Sequence, residues 1–137
     1  MVDRIAPRTT DDVKEFLKSQ YKVDDAFPVK SEEFIQWVIE DKFTDGRPNW
    51  EGLLDPSDCI YTPDVHPYEL MKLRLLNAGH SSMCYFAHLC GHLMVEDAMV
   101  DPLIVDFTKK YMEQATIAVP DVPIDLDKYK AQLIERF

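Results

Sequence analysis

The rhythm of apolar positions changes near residue 66. Before it, hydrophobic residues come in short alternations broken by prolines. Ile35, Trp37 and Ile39 alternate inside a run rich in β-branched and aromatic residues, which predicts a strand over 34–39. Residues 2–5, 26–29 and 59–62 predict further short strands. Residues 10–19 predict a short helix, with Val13, Phe16 and Leu17 on one face and acidic residues in the first turn. Asp45-Gly46-Arg47-Pro48 has the chemistry of a turn.

After Pro67, which suits a first helical position, the rhythm is helical. The apolar run over 70–94 goes nearly all round the helix, which predicts a long, central, buried element. Asp101-Pro102 opens a second helix with Leu103, Ile104, Phe107 and Tyr111 on one face. Pro120 and Pro123 punctuate a connection, and Asp125 caps a third helix through Leu126, Tyr129, Leu133 and Ile134. The expected fold class is α+β: short strands and a helix through residue 65, then a mainly α-helical part over 66–137 built on the long central helix. The last helix runs into Phe137 with no stop signal, so the chain is expected to be an internal fragment of something longer.

Composition narrows the function classes. At 137 residues, the chain is one domain or pieces of two. A net charge of −10 leaves no basic stripe for nucleic acid and disfavours anionic membrane surfaces. No run of ~18 apolar residues lacks charge, so no membrane span is expected, and no apolar segment follows Arg4 as a signal peptide requires. Three cysteines, Cys59, Cys84 and Cys90, make no even framework, and this usage points to the cytoplasm.

The candidate chemistry lies in the apolar helix. Glu69, Lys72, Asn77 and His80 fall within an arc of roughly 140° on an α-helix at about 100° per residue. Polar groups buried in such a helix cost free energy unless satisfied, which favours a site. An apolar surround makes a lysine a usable base near neutral pH. An asparagine NH₂ can donate to an oxygen gaining negative charge, a histidine can orient a hydroxyl, and Glu69 can pass a proton to water. The set suits proton removal from an alcohol as hydride leaves its carbon. Internal pairing or snorkelling of the same side chains is the plainer alternative.

A second stripe competes. His80, Cys84, His88 and His92 recur every four residues, but the stripe drifts about 120° and climbs ~18 Å, so at most two of them can share one ion. Core packing and interhelical hydrogen bonds account for them better than a metal site, and no metal is expected.

The spacing Lys72-x4-Asn77-x2-His80, within KLRLLNAGHS, resembles the signature of the polyol-specific long-chain dehydrogenases, the mannitol 2-dehydrogenase and fructuronate reductase group. Met1-Val-Asp-Arg-Ile5, Asp25-Ala-Phe-Pro28, Gln36-Trp-Val-Ile-Glu-Asp41, Gly46-Arg-Pro48 with Trp50-Glu51, Pro67-Tyr-Glu-Leu-Met-Lys72 and Ile124-Asp-Leu-Asp-Lys-Tyr-Lys130 with Leu133-Ile-Glu-Arg-Phe137 resemble family segments in family order. The resemblance implies hydride transfer between a polyol C2 hydroxyl and NAD or NADP, without metal. It implies Lys72 as general base, Asn77 as half of an oxyanion hole, and His80 as a substrate-orienting group. Glu69 would serve a proton relay, and Asp3 would lie at the edge of the substrate site.

It also implies a division: 1–65 as the tail of a cofactor-binding domain without its Rossmann core, and 66–137 as the first helices of an α-helical substrate domain. The four glycines, at 46, 52, 79 and 91, form no Gly-x-Gly-x-x-Gly. NAD binding by this chain alone is therefore doubtful. Family members place the other oxyanion asparagine and further substrate-binding residues outside these positions, so the chain alone is expected to be inactive. Residues 52–63 are longer than the family's usual connection, and 113–117 depart from its pattern. The rivals from other classes are a non-catalytic helical interaction module or gene remnant, self-associating through uncovered apolar faces, and a zinc-binding module.

Overall fold

The structure is a computed structural model describing residues 1–50 and 53–137. It is α+β, with a small sheet followed by packed helices. The elements are β1 (Val2–Asp3), α1 (Asp11–Tyr21), β2 (Gln36–Glu40), β3 (Cys59–Thr62), α2 (His66–Lys72), a π-helical turn (Leu73–Asn77), α3 (Ala78–Leu89), α4 (Val95–Ala98), α5 (Pro102–Thr116) and α6 (Leu126–Arg136). The sheet runs β1-β2-β3; β1 is antiparallel to β2, with Asp3 opposite Gln36, and β3 is parallel to it, with Trp37 opposite Cys59. Part of the Trp50-Glu51 resemblance, and Gly52 at the start of the long connection, lie outside the described residues.

Three sequence expectations change. Residues 26–29 form no strand; Pro28 lacks an N–H, and Phe27 and Val29 stand exposed with no neighbouring strand to pair. In β2 the most buried side chains are Gln36 and Val38 rather than the alternating Ile35, Trp37 and Ile39. Trp37 faces the other way and stacks on Trp50, ring centroids 4.9 Å apart.

The third change concerns the long helix, which stops at Leu89 instead of reaching Met94. Gly91 takes φ +93°, the His92 N–H reaches back to Ala87 O at 3.0 Å, and the Gly91 N–H reaches His88 O at 3.0 Å. This pair of bonds closes a helix through a left-handed residue, a conformation that glycine adopts without steric cost. The helix is also buried on one side only. Met71, Leu75, Leu76, Gly79, Met83 and Ala87 face inward, while Tyr85 is 78% and Leu89 84% exposed. An all-round apolar sequence thus ends with one face open.

The caps follow the expected chemistry. Asp101 accepts from the Leu103 N–H at 2.9 Å to start α5, and Asp125 accepts from Asp127 and Lys128 N–H to start α6. The inward face of α5 is Ile104, Thr108 and Met112, a strict i, i+4, i+8 stripe; Leu103 and Phe107 lie outside it. Two core clusters result. The larger joins Val38, Met71, Leu75, Met112, Tyr129 and Leu133; the smaller joins Met83, Ala87, Ala98 and Ile104. Phe137 packs against both.

Leu133→Ala empties a fully buried position in the larger cluster and is expected to cost about 2–5 kcal/mol. Leu89→Ala, on the open face, is expected to stay within about 0.5 kcal/mol. Urea midpoints of the two variants check the contrast.

Candidate active site

The helix carrying the candidate residues is not a uniform α-helix. Between Lys72 and Ala78 it widens into a π-turn, in which the Ala78 N–H reaches Leu73 O, five residues back. On a regular α-helix, positions five apart point about 140° away from each other. An i→i+5 turn wraps one more residue into each revolution and brings them nearer to one side. The turn therefore narrows the angle between Lys72 and Asn77, an adjustment that a 100° wheel does not contain.

The four candidates lie along the open side and flank of this helix rather than in its buried face. Glu69 and Asn77 are exposed, and Lys72 and His80 are half-buried. The expectation of a buried set is corrected: the inward positions are taken by Met71, Leu75, Leu76 and Gly79. Among the described residues, neither the Lys72 ammonium nor the Asn77 amide has a hydrogen-bond or ion-pair partner. Asn77 does anchor its neighbour through the backbone, its carbonyl accepting from the Ser81 hydroxyl at 3.0 Å. Glu69 lies 3.7 Å from His66 Nδ1.

His80 turns toward a cavity of about 640 Å³ between the helices and the N-terminal segment, whose wall includes Ile5, Lys30, Glu32, Arg136 and Phe137. Its imidazole meets the Phe137 ring edge-to-face at 5.7 Å and lies 3.6 Å from Cys84 Sγ. Burial pushes the Cys84 thiol upward in pKa, so it stays protonated. Lys72, Asn77 and Glu69 stand outside the lining of this cavity.

Asp3 is fully buried. Tyr129 donates to its Oδ2 at 2.6 Å, and the Arg136 guanidinium donates to both of its oxygens, at 2.6 and 3.3 Å. It therefore sits one layer behind the cavity wall, with each carboxylate oxygen engaged. Arg136 also forms a two-point pair with Glu32, at 2.8 and 2.9 Å, and lies 3.9 Å over the Phe34 ring. Glu32 further accepts from the Ile5 N–H at 2.5 Å.

Electrostatics follow this geometry. For Glu32, burial works to raise the pKa, but the Arg136 hydrogen bond, the Ile5 N–H and the charges of Arg136 and Arg4 together outweigh it, and the carboxyl is held low. Burial, then the Asp3 charge and hydrogen bond, push the Tyr129 phenol up, so it stays a donor. Burial opposes the charge of Arg136, but its two carboxylate partners raise its pKa and keep it protonated. The sequence pattern gave no sign of Glu32 or Arg136 as a pair. They are 104 residues apart and belong to an irregular segment and a helix end.

The histidine–cysteine stripe divides as packing demands. His80 and Cys84 touch, His88 is exposed, and His92 donates to Asp101 at 3.1 Å across to the start of α5. Among the described residues, no three His, Cys, Asp or Glu side chains converge as a metal would need. No described helix is long and apolar enough to cross a membrane.

The family model for the mannitol dehydrogenase Rossmann domain matches residues 1–52, and that for the mannitol dehydrogenase C-terminal domain matches 64–137. The chain belongs to the mannitol dehydrogenase family. It is 46% identical over 140 residues to the mannitol 2-dehydrogenase of Pyricularia oryzae, covering 100% of this chain and 28% of that protein. It is 43% identical over 138 residues to the D-arabinitol 4-dehydrogenase of Ralstonia nicotianae, covering 100% of this chain and 29% of that protein. The Pseudomonas fluorescens mannitol 2-dehydrogenase, solved as a ternary complex with NAD and D-mannitol, superposes with a TM-score of 0.82 at 43% identity over 99% of this chain and 27% of that one. The chain thus spans between a quarter and a third of the length of these relatives.

A folded-state pKa held below the unfolded value means that ionised Glu32 stabilises the fold at neutral pH and that this contribution disappears as pH falls through the lowered value. Stability is therefore expected to fall as the solution is acidified below about pH 4.3, the ordinary glutamate range. In Glu32→Gln that part of the loss should be missing. Urea midpoints across the acid range, compared between the two proteins, check it.

Proposed function

We propose that this chain carries the base-bearing portion of a polyol dehydrogenase, with residues 1–65 on the cofactor side and 66–137 opening the helical substrate part. The observation that carries the reading is Lys72 itself. It is a lysine without a partner among the described residues, on a helix matched by the family's C-terminal domain, with Asn77 brought toward its side by a π-turn. The substrate is a polyol or its ketose, and the reaction interconverts a secondary alcohol and a ketone. In the assembled family protein NAD or NADP would supply the hydride acceptor.

This chain's own residues supply the proton side. Lys72 Nζ takes the hydroxyl proton. The Asn77 NH₂ donates to the oxygen as negative charge builds there, where fixed donors act most strongly. His80 binds and orients the substrate from the cavity wall. Glu69, exposed beside His66, passes the proton from Lys72 to water. Asp3 serves from behind that wall through Arg136.

The residues present do not make a dinucleotide cradle. The described sheet has three short strands, and the chain has no Gly-x-Gly-x-x-Gly turn opening a helix. We therefore assign NAD binding to the assembled family protein rather than to these residues, and infer that the 137-residue chain alone is inactive. We place it in the cytoplasm, where its three cysteines would stay reduced. Its acidity argues for neither nucleic acid nor anionic lipid as a partner.

The test is a chimera in which this chain replaces the matching segment of the Pseudomonas fluorescens enzyme. Mannitol oxidation should be measurable, and Lys72→Ala should lower kcat by roughly 10²–10⁴-fold, the usual worth of a positioned base. An active chimera indifferent to Lys72→Ala would overturn the assignment. So would fructose-dependent NADH oxidation by the isolated chain above its own Lys72→Ala control, as far as inactivity is concerned.

A second reading rests on exposed apolar side chains. Tyr85 and Leu89 on α3, Leu93 and Val100 in the segments between helices, and Leu103 on α5 are large, apolar and more than half exposed, and exposed apolar surface promotes association. Self-association of the isolated chain is the expected outcome by sedimentation, and a monomer at all concentrations speaks against it.

A further inference from the structure

The Arg136 cluster has a consequence for His80. One guanidinium gathers Asp3 from β1, Glu32 from the segment before β2, and its own helix α6. The two carboxylates belong to the stretch matched by the Rossmann-domain model, and the cation to the stretch matched by the C-terminal-domain model. A guanidinium is planar and presents its N–H groups in a fixed fork. A two-point pair with Glu32 and a further bond to Asp3 therefore fix its plane as well as its position.

The neighbouring residue transmits that constraint. Phe137 follows Arg136 directly, packs on both core clusters, and puts its ring 5.7 Å from the His80 ring. On its other side His80 has the Cys84 thiol at 3.6 Å, a weak hydrogen-bonding partner. No strong hydrogen bond among the described residues holds the imidazole. Its direction then depends on the wall formed by Phe137.

We propose that Arg136 is a positioning residue: by bridging Asp3 and Glu32 it seats the Phe137 ring against His80 and so sets how the imidazole faces the cavity. Its importance for turnover rests on the reading of His80 as the substrate-orienting group. The contact itself does not, and it can be measured without activity.

The experiment is NMR on the 137-residue chain. Cross-relaxation between His80 and Phe137 ring protons is expected in the unaltered protein. In Arg136→Gln these cross-peaks should be lost, and in Glu32→Gln they should fall at least about twofold, because one arm of the fork is left unmatched. Met71→Ala, a cavity variant in the larger core cluster, should lower the melting temperature and keep them. Lys72→Ala should leave them unchanged, so failure of the dehydrogenase reading and failure of this one are told apart. Wild-type cross-peaks in folded Arg136→Gln and Glu32→Gln overturn the proposal. Equal loss in Met71→Ala also overturns it, since the contact would then report only global stability. If Arg136→Gln does not fold, Glu32→Gln decides alone, and unchanged intensity there overturns it.

Discussion

A carboxylate with no exposure to water, as at Asp3, sets a condition that the surrounding structure has to meet. An isolated charge there would cost several kcal/mol. The chain meets the condition from its far end: Tyr129 and Arg136, both on α6, bring a phenol and a guanidinium to the two oxygens. The same helix α6 contributes Leu133 to the larger core, which also holds Met71, Leu75 and Met112. The sheet and the helices are thus joined by a polar contact and an apolar one whose geometries agree. Such a cluster adds little net stability over an apolar replacement, yet loss of one partner is costly. In this placement of α6 both oxygens of Asp3 are engaged.

The helix that carries Lys72 solves a different problem. It has to bury one face for stability and keep a lysine available. The inward stripe of Met71, Leu75, Gly79, Met83 and Ala87 supplies the burial, with Gly79 packed beside Met112 and Tyr111 of α5. Lys72 escapes the stripe on the flank, and the π-turn that follows repositions Asn77 without breaking the helix. π-turns cost regular hydrogen bonding and tend to persist where function uses them. An extra residue in the turn is the physical way to bring a side chain five positions on toward the same side.

Much of this was legible in the sequence, for identifiable reasons. Asp101-Pro102 and Asp125 read as helix starts because capping is local chemistry, and the structure uses both carboxylates as caps. The strand of 36–40 was visible in its β-branched and aromatic run, but its inward parity was not. Trp37 is satisfied by Trp50, a contact outside the strand that alternation cannot reveal. The helix end at Leu89 was written in Gly91 and was overridden by the apolar run beyond it, which proves to be exposed. Lys72, Asn77 and His80 could be singled out by type and spacing. The Arg136–Glu32 pair could not, since residues 104 apart in sequence carry no periodic signal.

The same division explains why His80 differs from the other candidates. Lys72 and Asn77 need only their helix to be placed, because the turn that relates them lies within it. His80 faces a cavity whose opposite wall comes from Ile5, Glu32 and Arg136, so its surroundings exist only once the sheet segment has docked. Catalysis of proton removal depends on reacting groups held in mutual register, where small displacements cost large factors in rate. A helix can preset Lys72 and Asn77 relative to each other. It cannot preset the cavity wall, whose Glu32 and Arg136 are held to each other and to the buried Asp3 by ion pairs across the two parts of the chain.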